Sequence, residues 1–252
     1  MISWVQAALL GLMSCCAAST IACLGTTVGN YTLNRPLIAS VFVGLILGDV
    51  KGCIQIAVPM QIIYIALVTP GGTVAADLRA VSYIGIPLAW ALAKSQGLDL
   101  GGSEASGLAG ALGAMVGTVG TVQFYGTAMM NLVWQHIGWA RLDKKDFSIV
   151  GKVEVIFPLI SHLLISFIPV MLIVYYGADA VDQFKEALPM GSWYMKSLFT
   201  LGSLLPAVGI AILLKSVVNK ATDLIFFLFG FTLAGSMHLT LIAATAVGAV
   251  FA

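Results

Sequence analysis

From Ala105 to Trp134 the chain runs thirty residues without an Asp, Glu, Lys or Arg. At about 1.5 Å per helical residue, such a stretch readily crosses a hydrocarbon core about 30 Å thick. Further apolar runs occupy residues 4–28, 36–48, 53–68, 80–93, 153–176, 197–214, 222–236 and 239–252. Hydrophobic residues make up 60% of the chain and charged residues 9%, where soluble domains carry about a quarter of their residues as charges. With roughly 20 residues per crossing, 252 residues supply about eight to ten segments and no large soluble part. The expected fold is an all-α integral membrane protein, with residues 1–252 forming a single polytopic domain.

Several classes fall away on charge and cysteine. Twelve Lys and Arg against eleven Asp and Glu give a net charge of +1, which offers no electrostatic footprint for nucleic acid. Cys15, Cys16, Cys23 and Cys53 sit in apolar stretches without the spaced His or Cys pairs of a zinc site, so they read as packing thiols, and no cofactor is implied. The start, Met1 to Trp4, lacks the basic flank of a secretory signal, so the first apolar run is expected to be retained.

The runs are unequal in length, and this points to broken helices. Residues 36–48 span only about 20 Å as a helix and cannot cross. Gly48, Asp49, Gly52 and Pro59 punctuate the first half, and Gly230, Gly235 and Ser236 the second; a Gly-Asp pair closes one short run and Asp223 opens another. Non-helical backbone at membrane depth is tolerated only where protein or a wet cavity satisfies its polar groups. Paired broken segments therefore predict a multi-helix transporter with re-entrant helices around an internal site, in the pattern of an inverted repeat, although no residue-level repeat accompanies it.

Lys and Arg distribution sets orientation. If 105–134, 153–176 and 197–214 each cross once, the 94–104 and 177–196 connections share one side, and 141–152 and 215–220 the other. The second pair carries Arg141, Lys144, Lys145, Lys152, Lys215 and Lys220, so it is cytoplasmic by the positive-inside rule, and soluble partners should dock there. Residues 178–196 mix apolar and charged side chains like an amphipathic piece at the outer interface, with Trp193 and Tyr194 as anchors.

Polar groups inside apolar runs are costly, about 2.5 to 3.5 kcal/mol for a charge at mid-bilayer even on the lenient scale, so each one needs a reason. The densest cluster runs from Gln55 and Gln61 through Thr69, Pro70, Gly71, Gly72 and Thr73 to Asp77 and Arg79. Its Pro-Gly-Gly core breaks a helix and exposes backbone groups beside amides, hydroxyls and a carboxylate. Sugar hydroxyls both give and take hydrogen bonds, so their site must interleave acceptors and donors, and Asp77 with Gln61 supplies both. Asp77 has a second reading, as a helix cap or a partner of Arg79. Arg35 reads as holding a turn or meeting Asp49, and His136, His162 and His238 as hydrogen-bonded packing residues. Phosphate-cradling, nucleophile-elbow and metal-helix motifs do not occur, which argues against a self-contained enzyme.

Two stretches carry a family resemblance. Residues 34–39 (Asn-Arg-Pro-Leu-Ile-Ala) followed by 43–49 (Val-Gly-Leu-Ile-Leu-Gly-Asp) resemble the opening signature of the membrane IIC subunit of mannose/fructose/sorbose-type phosphotransferase systems (PTS). Residues 205–211 (Leu-Pro-Ala-Val-Gly-Ile-Ala) resemble its second signature, and length and segment pattern agree over almost the whole chain. The resemblance implies a sugar-translocating subunit of the bacterial inner membrane, paired with a IID membrane subunit, commonly as three such pairs, and served by cytoplasmic IIA and IIB phosphoryl carriers. It also implies that phosphoryl groups travel on IIA and IIB and not on this chain.

Carried over by position, the resemblance places Asp77 and Gln61 toward the sugar, with Thr69 where an Asn is common; Gln55, Gly72 and Thr73 complete the expected binding set. Gln61 stands where the family has an acid. An amide donates as well as accepts, which leans the expected substrate toward a sugar bearing a carbonyl, an N-acetylhexosamine such as N-acetylgalactosamine. The mechanism implied is alternating access around the broken segments. The competing reading is a proton-coupled secondary sugar transporter using Asp77 and Arg79.

Overall fold

The computed structural model describes residues 2–18, 24–65, 67, 76–187, 193, 207–218, 220–237 and 247–248. Among them are helices and connections and no strand. Two units are distinguished, residues 1–209 and 210–252.

In the first unit, α1 (Trp4–Cys16) opens with a capping box in which Ser3 and Gln6 exchange side-chain and backbone hydrogen bonds. A π-helical stretch, Gly25–Leu33, leads into α2 (Pro36–Leu47). Pro36 lacks the N–H that a helix start would leave orphaned, and it keeps Arg35 extended, so the Asn-Arg-Pro sequence is a helix-initiating corner. Arg35 occupies the cap position through its backbone, with no side-chain hydrogen bond there, and Asp49 pairs with Lys94.

The Gly-Asp pair folds α2 back on α3 (Val50–Ile63). Gly48, at φ +79°, adopts the left-handed conformation that ends α2, and Asp49 caps α3 by accepting the Gly52 N–H at 2.9 Å. One residue stops the first helix and the next starts the second, so the hairpin has no loop to spare. Gly44 lies directly on the Val50 backbone, where a Cβ has no room. The tip is tied to a helical run over 78–95, α4: Asp49 accepts from the Trp90 indole at 3.0 Å and pairs with Lys94 at 2.8 Å, and the ammonium also sits 4.5 Å from the Trp90 ring centroid.

α5 (Ser103–Leu142) is a single 40-residue helix, longer than the expected 105–134, because the amphipathic stretch 135–142 continues it without a breaker. α6 covers 147–187 as a helical run containing two π-helical stretches, Lys152–Ile156 and Leu163–Phe167. It therefore extends past the expected 153–176 run and takes in the first half of the anticipated interfacial piece; Trp193 beyond it is exposed, and Tyr194 lies outside the described residues. Ser103–Leu142 and Phe147–Gly177 are the two described helices long and apolar enough to cross a membrane. α1 packs along α6 with Trp4 stacked on Tyr175 at 4.0 Å, and α5 is joined to α6 by the Trp134 indole donating to Ser161 at 2.8 Å.

α7 (Ala207–Val217) begins at the end of the first unit and continues as the start of the second, where α8 (Leu224–Met237) follows. Asp223 accepts the Lys220 N–H at 2.9 Å in the short connection between them. The sequence thus produces two successions of sub-crossing helices, 36–47 then 50–63 and 207–217 then 224–237, each with an Asp immediately before its second helix.

The Lys94 ammonium, then the Trp90 indole and the Gly52 N–H, hold the Asp49 carboxyl down to about 2 from its ordinary value near 4. Asp49 sits at the hairpin tip beside the 94–104 connection, outside the crossing segments. A carboxylate whose pKa is depressed by folding contributes stability above its unfolded value and loses it as pH falls through its folded value. The melting-temperature advantage of wild type over Asp49→Asn in detergent should therefore be full at pH 5 and shrink between about pH 4 and 2; a pH-independent difference would show that the Lys94 pair contributes nothing.

Candidate functional site

The break lies between α3 and α4. Pro59 within α3 removes a helical hydrogen bond, α3 ends at Ile63, and Tyr64 has left helical geometry. Asp77 starts α4 by accepting the Arg79 N–H at 2.9 Å. Between these flanks, Thr69, Gly72 and Thr73 lie outside the described residues. Both flanks dock on one face of α5, at Gly113, Gly117 and Gly120. A Cβ on Gly113 would come 2.9 Å from Met60, one on Gly117 would strike the Tyr64 hydroxyl, and one on Gly120 would strike Ala80 and reach within 3.1 Å of Asp77. The missing side chains open the α5 carbonyls to both flanks: the Asp77 N–H donates to Gly117 O at 2.9 Å, and the Tyr64 side-chain hydroxyl donates to Gly113 O at 3.2 Å. Counted from Ser103, Gly117 is about 21 Å along α5, within the helix that is long and apolar enough to cross a membrane.

Gln61 lies one turn before Tyr64. Its Oε1 accepts the Leu37 N–H at 3.3 Å, satisfying one of the orphaned donors at the start of α2. The corner preceding α2 is fixed from the other side by α4, where Ser82 Oγ donates to Asn34 O at 3.0 Å and Tyr83 Oη to Leu33 O at 2.9 Å. Residues 33–37 therefore link Gln61 to the helix that Asp77 opens. Asn34 adds a buried Oδ1 with no hydrogen-bond partner among the described residues, an acceptor that the sequence reading used only as part of a motif.

Asp77 is 3% exposed and Arg79 5%. Arg79 Nε donates to Asp77 Oδ1 at 3.1 Å and its NH2 group to Oδ2 at 2.8 Å. The capping and ion-pair reading of Asp77 is thus realised. The remaining guanidinium nitrogen, NH1, lies 3.5 Å from both His162 Nδ1 and Ser166 Oγ on α6, which are 3.4 Å apart. Guanidinium has no acceptor, so Nδ1 faces it as one. All four groups are buried. His162 keeps a hydrogen-bonded role, with Ser166 one turn on and with Arg79, 83 residues away, which no local pattern could supply.

Gln55 does not join this group. Six residues before Gln61, and so about 9 Å nearer the hairpin tip, it lines a surface cleft of about 490 Å³ with Asp49, Lys51, Lys94 and Asp99. No cluster of three or more metal-ligating side chains occurs among the described residues.

Residues 4–252 match the family model described as the PTS system sorbose-specific IIC component, and the chain belongs to that family. It is 24% identical over its whole length to the sorbose-specific EIIC component of Klebsiella pneumoniae and to the mannose-specific EIIC component of Escherichia coli K12, covering 88% of each. It is 26% identical to a sorbose-specific EIIC component of Lacticaseibacillus casei over 93% of this chain and 80% of that one. Among solved structures, a membrane protein superposes with TM-score 0.74 at 20% identity, covering all of this chain and 94% of that one. The mannose transporter ManYZ in complex with microcin E492 gives 0.54 at 22%, over 99% and 94%. The fold is shared, and the protein is a IIC sugar-transport subunit of the mannose/sorbose PTS family.

The glycine face should tolerate little. Gly120→Val should destabilise the protein by about 1 to 3 kcal/mol through overpacking against Ala80 and Asp77. Gly151→Ala, with open space around it, should leave the melting temperature in detergent unchanged or slightly raised. Equal effects of the two substitutions would contradict the close approach.

Proposed function

We propose that this chain moves a sugar across the inner membrane as the translocating subunit of a phosphoenolpyruvate-dependent system. It works beside a IID membrane subunit, in three such pairs, and hands the sugar to IIB, which is recharged by IIA on the cytoplasmic face. The observation that carries this reading is the docking of both flanks of a broken helix, with Gln61 and Asp77 on opposite flanks, against one face of α5. Thr69, Gly72 and Thr73 belong to the interval between those flanks and complete the proposed sugar contacts; Gln55 would meet the sugar earlier, in the cleft at the hairpin tip. Asp77 is buried here, so the cycle we propose includes a step that exposes its carboxylate, as alternating access around a fixed site requires.

Gln61 shapes the substrate. Its Oε1 is engaged with Leu37, so the amide presents its N–H donors to a ligand. A carbonyl on the sugar, as in N-acetylgalactosamine, takes those donors. Gln61→Glu keeps an acceptor for the Leu37 N–H and removes the donors. In cells carrying the complete system, uptake of N-acetylgalactosamine should fall about tenfold or more relative to mannose on this substitution, the cost of one lost buried donor. Preferred uptake of plain mannose or sorbose by wild type would refute the N-acetylhexosamine assignment. The buried Asp77–Arg79 charges favour a second reading, proton-coupled transport. Vesicles energised by a proton gradient without phosphoryl donors accumulate sugar under that reading and not under ours.

A further inference from the structure

We propose that Arg79 is a positioning residue for the Asp77 carboxylate, braced in turn by His162 and Ser166, so that α6 sets the direction in which Asp77 offers its remaining acceptor to the sugar. This rests on the reading of Asp77 as a sugar contact. An ionised carboxylate has about four acceptor directions. Asp77 Oδ1 receives two bonds, from the Arg79 backbone N–H and Nε, while Oδ2 receives one, from NH2. Among the described residues Oδ2 therefore keeps a free acceptor direction, and the planar fork of Arg79 fixes where it points.

The fork is itself held at its far end. Its third nitrogen meets His162 Nδ1 and Ser166 Oγ, four residues apart on α6. Both sides of this contact carry a π-helical turn: Val81–Gly85 begins two residues after Arg79, and Leu163–Phe167 begins at the residue after His162 and includes Ser166. A π turn adds a residue to the helical circuit and re-aims the side chains around it, and such turns recur at functional sites. Cys15 Sγ donates to His162 O at 3.3 Å, so α1 also helps to hold this turn. The contacts grade from 2.8 Å at the carboxylate to 3.5 Å at α6, which makes Asp77 and Arg79 one unit and α6 the looser brace.

Three variants in the complete system test the assignment, read as KM and Vmax for phosphoenolpyruvate-driven uptake of whichever of N-acetylgalactosamine, mannose or sorbose it transports. Arg79→Lys keeps the charge but loses the fork, and KM should rise about tenfold with Vmax nearly unchanged. The double substitution His162→Ala with Ser166→Ala should raise KM about threefold, with recovery when His162→Gln restores an acceptor opposite Arg79. Asp77→Asn with Arg79→Gln removes both charges, so it avoids stranding one of them, and should raise KM at least as much as Arg79→Lys. Folded yield is followed by size exclusion on each variant. If the double-neutral variant raises KM while Arg79→Lys and the α6 variants leave it unchanged, the positioning role is wrong and Asp77 remains a sugar contact. If the double-neutral variant leaves KM unchanged, the assignment of Asp77 to the sugar is itself wrong. Loss of folded yield in the Arg79 and α6 variants with unchanged KM in the remaining folded protein would also overturn the proposal, leaving a structural ion pair.

Discussion

The structure depends on a helix interrupted at membrane depth and on the close approach that makes the interruption tolerable. Hydrocarbon offers no hydrogen bonds, so polar groups at Tyr64 and Asp77 must find partners inside the protein. The Tyr64 carbonyl accepts locally from the Leu67 N–H, while α5, whose glycines at 113, 117 and 120 let the broken segments approach, accepts the Asp77 N–H at Gly117 O and the Tyr64 side-chain hydroxyl at Gly113 O. Close packing through small residues replaces the hydrophobic effect, which does little between helices already in an apolar solvent. A long, uninterrupted helix is thus the anvil on which a short, broken one is shaped.

Charge at that depth follows the same logic. An Arg and an Asp two residues apart, each nearly fully buried, are compatible with a membrane interior only as a hydrogen-bonded pair. The polar groups of His162 and Ser166 extend the pair into a network that joins α4 to α6. The hairpin tip shows the contrasting case: Asp49 and Lys94 form their pair where water reaches them, and there the pair fixes a turn without the desolvation cost.

Much of the fold was legible in the residues. Pro36 and Gly48 bound α2, and Asp49 begins α3, because each has a local conformational reason to do so. The shortness of 36–48 already excluded a crossing. Helix ends set by amphipathic continuation were less legible: α5 runs to Leu142 and α6 to Ala187, because nothing between the apolar run and the charged end breaks a helix. Within the candidate site, Gln61 and Asp77 stood out as polar groups in apolar runs. The pattern did not separate Gln55, which shares α3 with Gln61 but lies nearer the tip and lines a surface cleft there.

The sequence by itself determined that this chain lives in a membrane, that its helices are interrupted between Pro59 and Asp77, and which family it joins, because apolar length, proline and glycine act locally and motifs are linear. Only the tertiary structure decided that Arg79 clasps Asp77 and that His162 and Ser166 close over its far side. It likewise decided that Gln61 spends its oxygen on the start of α2. Those pairings join residues up to 87 positions apart, and they exist because side-chain groups deprived of water take whatever partner the packing of other helices brings within reach.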